Sequence, residues 1–129
     1  MPTLLLLDGD GIGPEVNAQV RRLIAWAAGH GLTFESQDAR IGGAAIDAEG
    51  APLSDATVAL AARADAILFG AVGGPKWEGL PRAQRPEQGL LRLRRELGLF
   101  ANLRPARVWP GLEDVSPFRP ERAAGTDLI

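Results

Sequence analysis

The spacing of apolar positions changes along the chain, and each spacing predicts a different element. Thr3 to Leu7 is an uninterrupted apolar run, which is typical of a strand buried on both faces of a parallel sheet. A helix is predicted to start at Pro14, because apolar residues then recur at helical spacing up to Gly29. The predicted apolar stripe of this helix consists of Val16, Val20, Leu23, Ile24 and Ala27.

Two further strands and one further helix are predicted before residue 70. Apolar and polar residues alternate from Leu32 to Gln37, which predicts a second strand. Ser54 is a predicted N-cap for a helix from Asp55 to Arg63, and Ala66 to Phe69 is a predicted buried strand. The resulting order, β-α-β-α-β, predicts an α/β fold with a largely parallel sheet and flanking helices.

A fourth apolar pattern predicts a short helix that carries candidate binding residues. Leu90, Leu93 and Leu97 are predicted to face the core, with Gly98 as the C-terminal stop. A rotation of ~100° per residue places a second stripe about a quarter turn away. This second stripe consists of Glu87, Leu91 and Arg94. It suits a ligand with both a carboxylate and a branched apolar arm, because arginine binds carboxylates through two parallel hydrogen bonds.

The residues after this helix predict a strand that adds a second guanidinium group. In a strand from Phe100 to Arg104, the side chains of Asn102 and Arg104 point to the same side. The alternative interpretation is a solvated surface, in which Glu87 and Arg94 form an exposed ion pair across two helical turns.

Two glycine-rich segments follow predicted strands. Gly9 to Glu15 allows a tight strand-to-helix turn, but its spacing differs from the dinucleotide-binding fingerprint G-x-G-x-x-G. Gly70 to Pro75 lies at the carboxyl end of the third strand, where open α/β sheets place ligands, and a flexible connection is the alternative. No chemistry is assigned to His30, and Lys76 is predicted to pack or to lie at a rim without reacting.

Composition and charge exclude several classes of function. The 129 residues carry a net charge of −2 without a basic cluster, which argues against nucleic acid as a partner. The absence of cysteine excludes disulfides and thiolate metal sites. The apolar run near the amino terminus is too short for a signal peptide or a membrane span, so a cytoplasmic protein without a membrane partner is expected.

The last residues are expected to be irregular and then to begin another strand. Val108 to Thr126 contains three prolines and predicts a loop with at most one helical turn. Asp127 to Ile129 predicts the beginning of a buried strand, so the chain is expected to be a truncated piece.

Five short segments carry a resemblance to a known family. They are Gly73-Gly74-Pro75-Lys76-Trp77, Gly79-Leu80-Pro81, Arg85-Pro86-Glu87, Gly89-Leu90-Leu91 and Leu99-Phe100-Ala101-Asn102-Leu103-Arg104-Pro105. They resemble the N-terminal portion of the isocitrate/isopropylmalate dehydrogenases, a family of β-decarboxylating dehydrogenases. The resemblance implies a partial, truncated isopropylmalate-dehydrogenase-like fold. Residues 1–99 would be the N-terminal part of the first, cofactor-side domain, and residues 100–129 the incomplete start of the second.

The resemblance also implies a reaction. It is the NAD-dependent oxidation and decarboxylation of 3-isopropylmalate to 4-methyl-2-oxopentanoate in leucine biosynthesis, with Mg²⁺ or Mn²⁺ bound, in a full-length enzyme that is a homodimer. The metal-binding aspartates and the Tyr and Lys acid/base groups of the family lie beyond Ile129, and this chain has no tyrosine and a single lysine. No catalytic residue or metal ligand is therefore predicted within these residues, which are expected to be inactive alone.

Nine residues receive binding roles from the resemblance. The substrate contacts are Arg94 and Arg104 for the carboxylates, Leu90 and Leu91 for the isopropyl arm, and Glu87 beside that arm. The cofactor contacts are Ile12, Gly73, Gly74, Asn102 and, at the nicotinamide ribose, Glu87.

The leucine pair favours isopropylmalate within the family. The extra carboxylate of isocitrate would be buried without a partner against Leu90 and Leu91, at a cost of several kcal/mol. Homoisocitrate and tartrate are disfavoured less strongly by the same argument. Two alternatives outside enzymology are a non-catalytic dicarboxylate-binding module and a non-functional remnant.

Overall fold

The computed structural model describes all residues, Met1–Ile129, as two compact units, Met1–Gly98 and Leu99–Ile129. The first unit has three strands, β1 (Thr3–Gly9), β2 (Glu35–Ala39) and β3 (Ala66–Ala71). Its four helices are α1 (Gly13–Ala28), α2 (Gly43–Glu49), α3 (Asp55–Ala61) and α4 (Glu87–Glu96). Two short 3₁₀ turns, Pro75–Trp77 and Arg82–Gln84, lie between β3 and α4.

The three strands form a parallel sheet in the order β2-β1-β3, which confirms the predicted α/β fold. Leu5 of β1 is aligned with Gln37 of β2 and with Ile67 of β3. Leu5, Leu6 and Leu7 are at most 1% exposed, so the central strand is buried on both faces as predicted. β3 is only half-buried because it is an edge strand of this sheet.

The inward face of α1 matches the predicted stripe only in part. Ala27 is buried and Val20 and Ile24 are half-buried, as predicted. Val16 and Leu23 are exposed instead, and Gly13 and Asn17 are buried. A polar residue lies inside because the Asn17 amide donates to Asp8 Oδ1 at 2.9 Å. Apolar spacing alone could not reveal a helix face that is fixed by a buried hydrogen bond.

The segment from β2 to α3 contains one element that the apolar pattern missed. β2 begins at Glu35, three residues later than predicted, and the seven-residue helix α2 was not predicted at all. Helix α2 shows no sustained apolar period. The sequence marks this helix only by the glycines at its two ends, Gly42 and Gly50, which have positive φ angles of +75° and +77°. The Ser54 N-cap is confirmed, because its hydroxyl accepts a hydrogen bond from the Thr57 amide at 3.3 Å.

Helix α4 agrees with its prediction. Leu93 is 4% exposed within the core, and Gly98 follows the helix with φ +62° as the expected stop. Gly89 brings the helix axis close to the core, because a Cβ at this position would overlap the Pro52 carbonyl oxygen and lie 3.2 Å from an Ile41 side-chain carbon.

Replacing Gly89 with alanine is expected to lower the free energy of unfolding by about 2 kcal/mol. Alanine favours a helix by about 1 kcal/mol over glycine, but overpacking against a backbone carbonyl that cannot rotate away costs more. Urea unfolding followed by tryptophan fluorescence measures the difference. Gly79→Ala is the matched control, since a Cβ there meets no atom within 4 Å and its φ is ordinary. A Gly89→Ala protein as stable as the wild type would contradict this packing.

The second unit is small and mostly irregular. It contains β4 (Ala106–Arg107) paired antiparallel with β5 (Asp127–Leu128), a 3₁₀ turn at Glu113–Val115 and the short helix α5 (Pro120–Ala123). The predicted strand from Phe100 to Arg104 is wrong, because that stretch has no strand partner and Phe100 is fully exposed. The terminal strand does form, but Leu128 is 65% exposed rather than buried. None of the helices in either unit has the length and apolar character needed to cross a bilayer.

Candidate functional site

A single buried carboxylate, Asp10, joins the segments that follow all three strands of the first unit. It is 3% exposed and accepts hydrogen bonds from the backbone amides of Gly43 and Ala44, at 2.8 and 2.7 Å, and of Gly73, at 2.8 Å. A buried carboxylate is tolerated when donors of this kind surround it. Two of the donors lie at the amino end of α2, where the helix dipole also favours negative charge. The carboxyl edge of the sheet is thereby held together.

Asp10 was not among the residues predicted from the sequence to form a site. The sequence does contain an indication of this role. Asp10 stands between Gly9 and Gly11 directly after a buried strand, and an aspartate in such a turn can accept hydrogen bonds from nearby backbone amides. The close fit also explains Gly42. A Cβ at Gly42 would lie 2.5 Å from Asp10 Oδ2, and the φ of +75° there favours glycine independently.

The loop after β3 brings Gly73 against the start of α4. Gly73 has φ +98°, and a Cβ at this residue would lie 2.5 Å from Glu87 Oε1. The Glu87 carboxylate therefore lies directly beside the backbone of the glycine loop. This contact joins two of the segments that the sequence marked as a candidate binding region.

One face of α4 carries four of the predicted substrate residues. Glu87, Leu90, Leu91 and Arg94 lie at positions i, i+3, i+4 and i+7 of a continuous helix, so they are neighbours on its surface. Leu91 is 53% exposed, and Leu90 and Arg94 are half-buried. Glu87 and Arg94 take part in none of the ion pairs of the chain, so the alternative of an exposed Glu87–Arg94 pair is wrong.

The neighbouring arginines of α4 are engaged within the fold. Arg92 donates to the Leu53 carbonyl at 3.0 Å and to Asp55, and the hydrogen bond to Asp55 raises the pKa of Arg92 above its ordinary value. Arg95 lies 3.8 Å from Glu96. Arg94 is therefore the arginine of this helix whose guanidinium has no carboxylate partner within the chain.

A further arginine, on α1, is also engaged within the fold. Arg21 of α1 forms ion pairs with Asp8, at 3.0 Å, and with Asp38. The hydrogen bond to Asp38, more than that to Asp8, raises the pKa of Arg21. These residues line a cleft of about 650 Å³. Since the Arg21 guanidinium is paired with two carboxylates, it adds no free cation to the candidate site.

The remaining predicted positions fall in both units. Ile12, in the turn after Asp10, is 63% exposed and so presents its side chain outward. Asn102 and Arg104 lie in the irregular start of the second unit and are exposed. Arg104, like Arg94, takes part in none of the ion pairs.

Two residues without an assigned reaction are engaged locally. Lys76 Nζ lies 2.6 Å from Asp47 Oδ2, so its ammonium group is used in an ion pair. His30 Nδ1 lies 2.8 Å from the Trp26 carbonyl oxygen, and the two rings have their centroids 4.1 Å apart and are tilted by 32°. Neither geometry prepares a side chain for proton transfer.

The chain does not form a metal centre by itself. No group of three or more His, Cys, Asp or Glu side chains is arranged to hold a metal ion. The donors present therefore do not fit a magnesium or manganese ion, and no step through a metal can be derived from these residues alone.

Comparison with known proteins agrees with this parallel α/β fold. Residues 3–129 match the family model described as isocitrate/isopropylmalate dehydrogenase, so the chain belongs to that family of oxidoreductases. This confirms the resemblance noted in the sequence.

Curated proteins similar to this chain include 3-isopropylmalate dehydrogenases of several bacteria. That of Rhodospirillum rubrum is 58% identical over 128 residues, covering 98% of this chain and 35% of its own length. That of Nitrobacter winogradskyi is 54% identical over 127 residues, covering 98% and 34%. A crystal structure of a β-decarboxylating dehydrogenase from Thermococcus kodakarensis superposes with a TM-score of 0.62 at 34% identity, covering 84% of this chain and 30% of that one. The chain thus spans about a third of the length of the curated relatives it matches.

Proposed function

We propose that these residues are part of an NAD-dependent 3-isopropylmalate dehydrogenase, which oxidises and decarboxylates its substrate to 4-methyl-2-oxopentanoate in leucine biosynthesis. The observation that carries the proposal is the face of α4, where an unpaired Arg94 adjoins two accessible leucines and Glu87. Identities above 50% to proteins named 3-isopropylmalate dehydrogenase support the choice of substrate.

The substrate is bound by a charged contact to its carboxylate and by apolar contacts to its isopropyl arm. Arg94 binds a malate carboxylate through its planar fork of donors, which needs no rearrangement because no carboxylate of the chain competes for it. Leu90 and Leu91 contact the isopropyl arm, whose burial contributes about 0.8 kcal/mol per methylene-sized group. Arg104 is proposed as a second carboxylate ligand on the strength of the family resemblance.

The glycine loop fits the nicotinamide end of NAD. The absence of a Cβ at Gly73 lets the Glu87 carboxylate lie against the backbone of this loop, which brings a proposed cofactor contact of α4 next to the loop. Ile12, Gly73, Gly74 and Asn102 are proposed to contact the cofactor, with Glu87 beside the ribose. When bound, NAD supplies the acceptor for the hydride that leaves the substrate.

The rest of the reaction is proposed to depend on residues outside this sequence. The Mg²⁺ or Mn²⁺ ligands and the acid/base groups would lie there, since these residues hold neither a metal cluster nor a tyrosine. Residues 1–99 are proposed to belong to the cofactor-side domain and residues 100–129 to begin the second domain. A cytoplasmic homodimer is proposed for the whole enzyme.

Substrate preference tests the proposal. The test uses a protein that contains these residues and has the full length of the relatives; it is called the full-length protein below. It is incubated with NAD and Mg²⁺ and each substrate, and the formation of NADH is followed by its absorbance. The expected order of kcat/KM places 3-isopropylmalate above homoisocitrate, tartrate and isocitrate. Equal or greater activity with isocitrate would overturn the proposed specificity.

Replacing Leu91 with alanine is expected to lower kcat/KM for 3-isopropylmalate by about 10- to 100-fold, because a missing apolar contact is worth about 1–3 kcal/mol. Activity with malate, which lacks the isopropyl arm, should change much less. Steady-state kinetics of the full-length protein with both substrates measures the ratio. Leu23→Ala, an equal truncation of an exposed leucine on α1, should leave that ratio unchanged. A ratio unaltered by Leu91→Ala would argue against its contact with the arm.

A further inference from the structure

The loop that follows β3 is fastened to α2 by a second carboxylate, Asp47. Lys76 Nζ lies 2.6 Å from Asp47 Oδ2, and Trp77 Nε1 donates to Asp47 Oδ1 at 3.2 Å. Both carboxylate oxygens are thus used, one by each side chain. The hydrogen bond from Lys76, assisted by that from Trp77, lowers the pKa of Asp47 below its ordinary value, so the group stays ionised at neutral pH. We call this set of contacts the Asp47 latch.

The latch also fixes the position of the Trp77 ring. A Cβ at Gly43 would overlap the indole, so the ring lies flat against the first residue of α2. The Lys76 ammonium lies 5.3 Å from the centroid of the same ring, within the range of a cation–π contact. Asp47 belongs to α2 as well, one helical turn after Gly43. The 3₁₀ turn and the helix therefore hold one another by shape and by charge.

The two carboxylates hold the glycine loop from both ends. Asp10 accepts the Gly73 amide at 2.8 Å, and the Asp47 latch binds the side chains three and four residues further on. Only Gly74 and Pro75 lie between the two attachments. Since glycine has a large conformational freedom to lose, a loop fastened at one end alone would sample many more conformations.

We propose that Asp47 is a positioning residue that holds Gly73 and Gly74 in the conformation that receives the nicotinamide end of NAD. This inference rests on the proposed function. Asp47 acts through Lys76 and Trp77 and is not itself proposed to touch the cofactor or the substrate. Removing its charge frees the far end of the loop, while the buried Asp10 continues to hold Gly73.

The test compares Asp47→Asn with Glu49→Gln in the full-length protein. Both changes replace a carboxylate of α2 with its amide, but Glu49 pairs only with Arg40, at 3.8 Å. The first measurement is backbone hydrogen exchange across Gly73–Trp77 without ligand. The second is the Kd for NAD, from the fluorescence of bound NADH in competition, alongside the Kd for 3-isopropylmalate.

Asp47→Asn is expected to speed exchange in the loop at least about tenfold and to weaken NAD binding about fivefold or more. Its affinity for 3-isopropylmalate should stay within twofold of wild type, as should every value for Glu49→Gln. Wild-type exchange rates and wild-type NAD affinity in Asp47→Asn would overturn the inference alone. Faster exchange with unchanged NAD affinity would reduce the latch to a structural role and also overturn it. A wild-type protein that binds no NAD would overturn the proposed function, and this inference with it.

Discussion

Replacing Arg94 with alanine is expected to lower kcat/KM for 3-isopropylmalate by about 10²- to 10³-fold, equivalent to about 3–4 kcal/mol of transition-state stabilisation. The reason is that Arg94 has no carboxylate partner in the chain, so its charge is free for the ligand. Truncation then leaves a substrate carboxylate desolvated without its bidentate donor. Steady-state kinetics of the full-length protein measures the loss.

Two further variants test whether the loss is due to the bidentate hydrogen bonds of Arg94. One keeps the positive charge at this position, and the other removes a different arginine of the same helix. Arg94→Lys keeps the positive charge but offers a point donor, and should recover only part of the activity. Arg95→Ala removes the next guanidinium, which lies 3.8 Å from Glu96 and is mostly exposed, and should change kcat/KM by less than twofold. An Arg94→Ala protein that is no less active than Arg95→Ala would mean that this face of α4 does not bind the substrate.

Replacing Asp10 with alanine is expected to lower the free energy of unfolding by about 3–6 kcal/mol. Three amides, those of Gly43, Ala44 and Gly73, lose their acceptor together, and each unsatisfied buried donor costs about 1–3 kcal/mol. This loss is comparable to the whole stability of many domains, so partial unfolding is an expected form of the result. Urea unfolding followed by tryptophan fluorescence, and the soluble yield, provide the measurement.

The control for Asp10 is a carboxylate of the same size with no buried partner. Asp114 in the second unit is exposed and takes part in no ion pair, so Asp114→Ala should change stability by no more than about 0.5 kcal/mol. The stability of Asp10→Asn should lie between those of the two alanine variants. The asparagine side-chain oxygen can still accept hydrogen bonds, but its NH₂ group would face backbone amides that are themselves donors. Equal stability of Asp10→Ala and Asp114→Ala would refute the role of Asp10 as the junction of the sheet edge.

The sequence predicted correctly those structural features that depend only on residues close together in the chain. The apolar run of β1, the Ser54 cap and the stop at Gly98 each depend on residues within a few positions, and all three are confirmed. Contacts between distant residues decided the rest. Asp10 and Gly73 are 63 residues apart, and no periodicity records that the carboxylate of one meets the amide of the other.

The same distinction explains the errors. The stretch from Phe100 to Arg104 alternates like a strand, but a strand also needs a partner, and pairing in that unit occurs only between β4 and β5. The face of α1 was predicted only in part, because the apolar stripe included the exposed Val16 and Leu23 and omitted Asn17, which is buried and donates to Asp8. In contrast, the stripe on α4 could be drawn correctly, since the spacing of Glu87 and Arg94 within one continuous helix fixes their common face.

Arg94 and Leu91 of α4 are proposed to contact the two ends of one substrate molecule. A crystal structure of the full-length protein with 3-isopropylmalate, NADH and Mg²⁺ tests it most directly. Two Arg94 nitrogens are expected at about 2.7–2.9 Å from one substrate carboxylate, with the isopropyl carbons within about 4.5 Å of Leu91. A substrate whose carboxylates are bound elsewhere, with Arg94 still free in solvent, would contradict it.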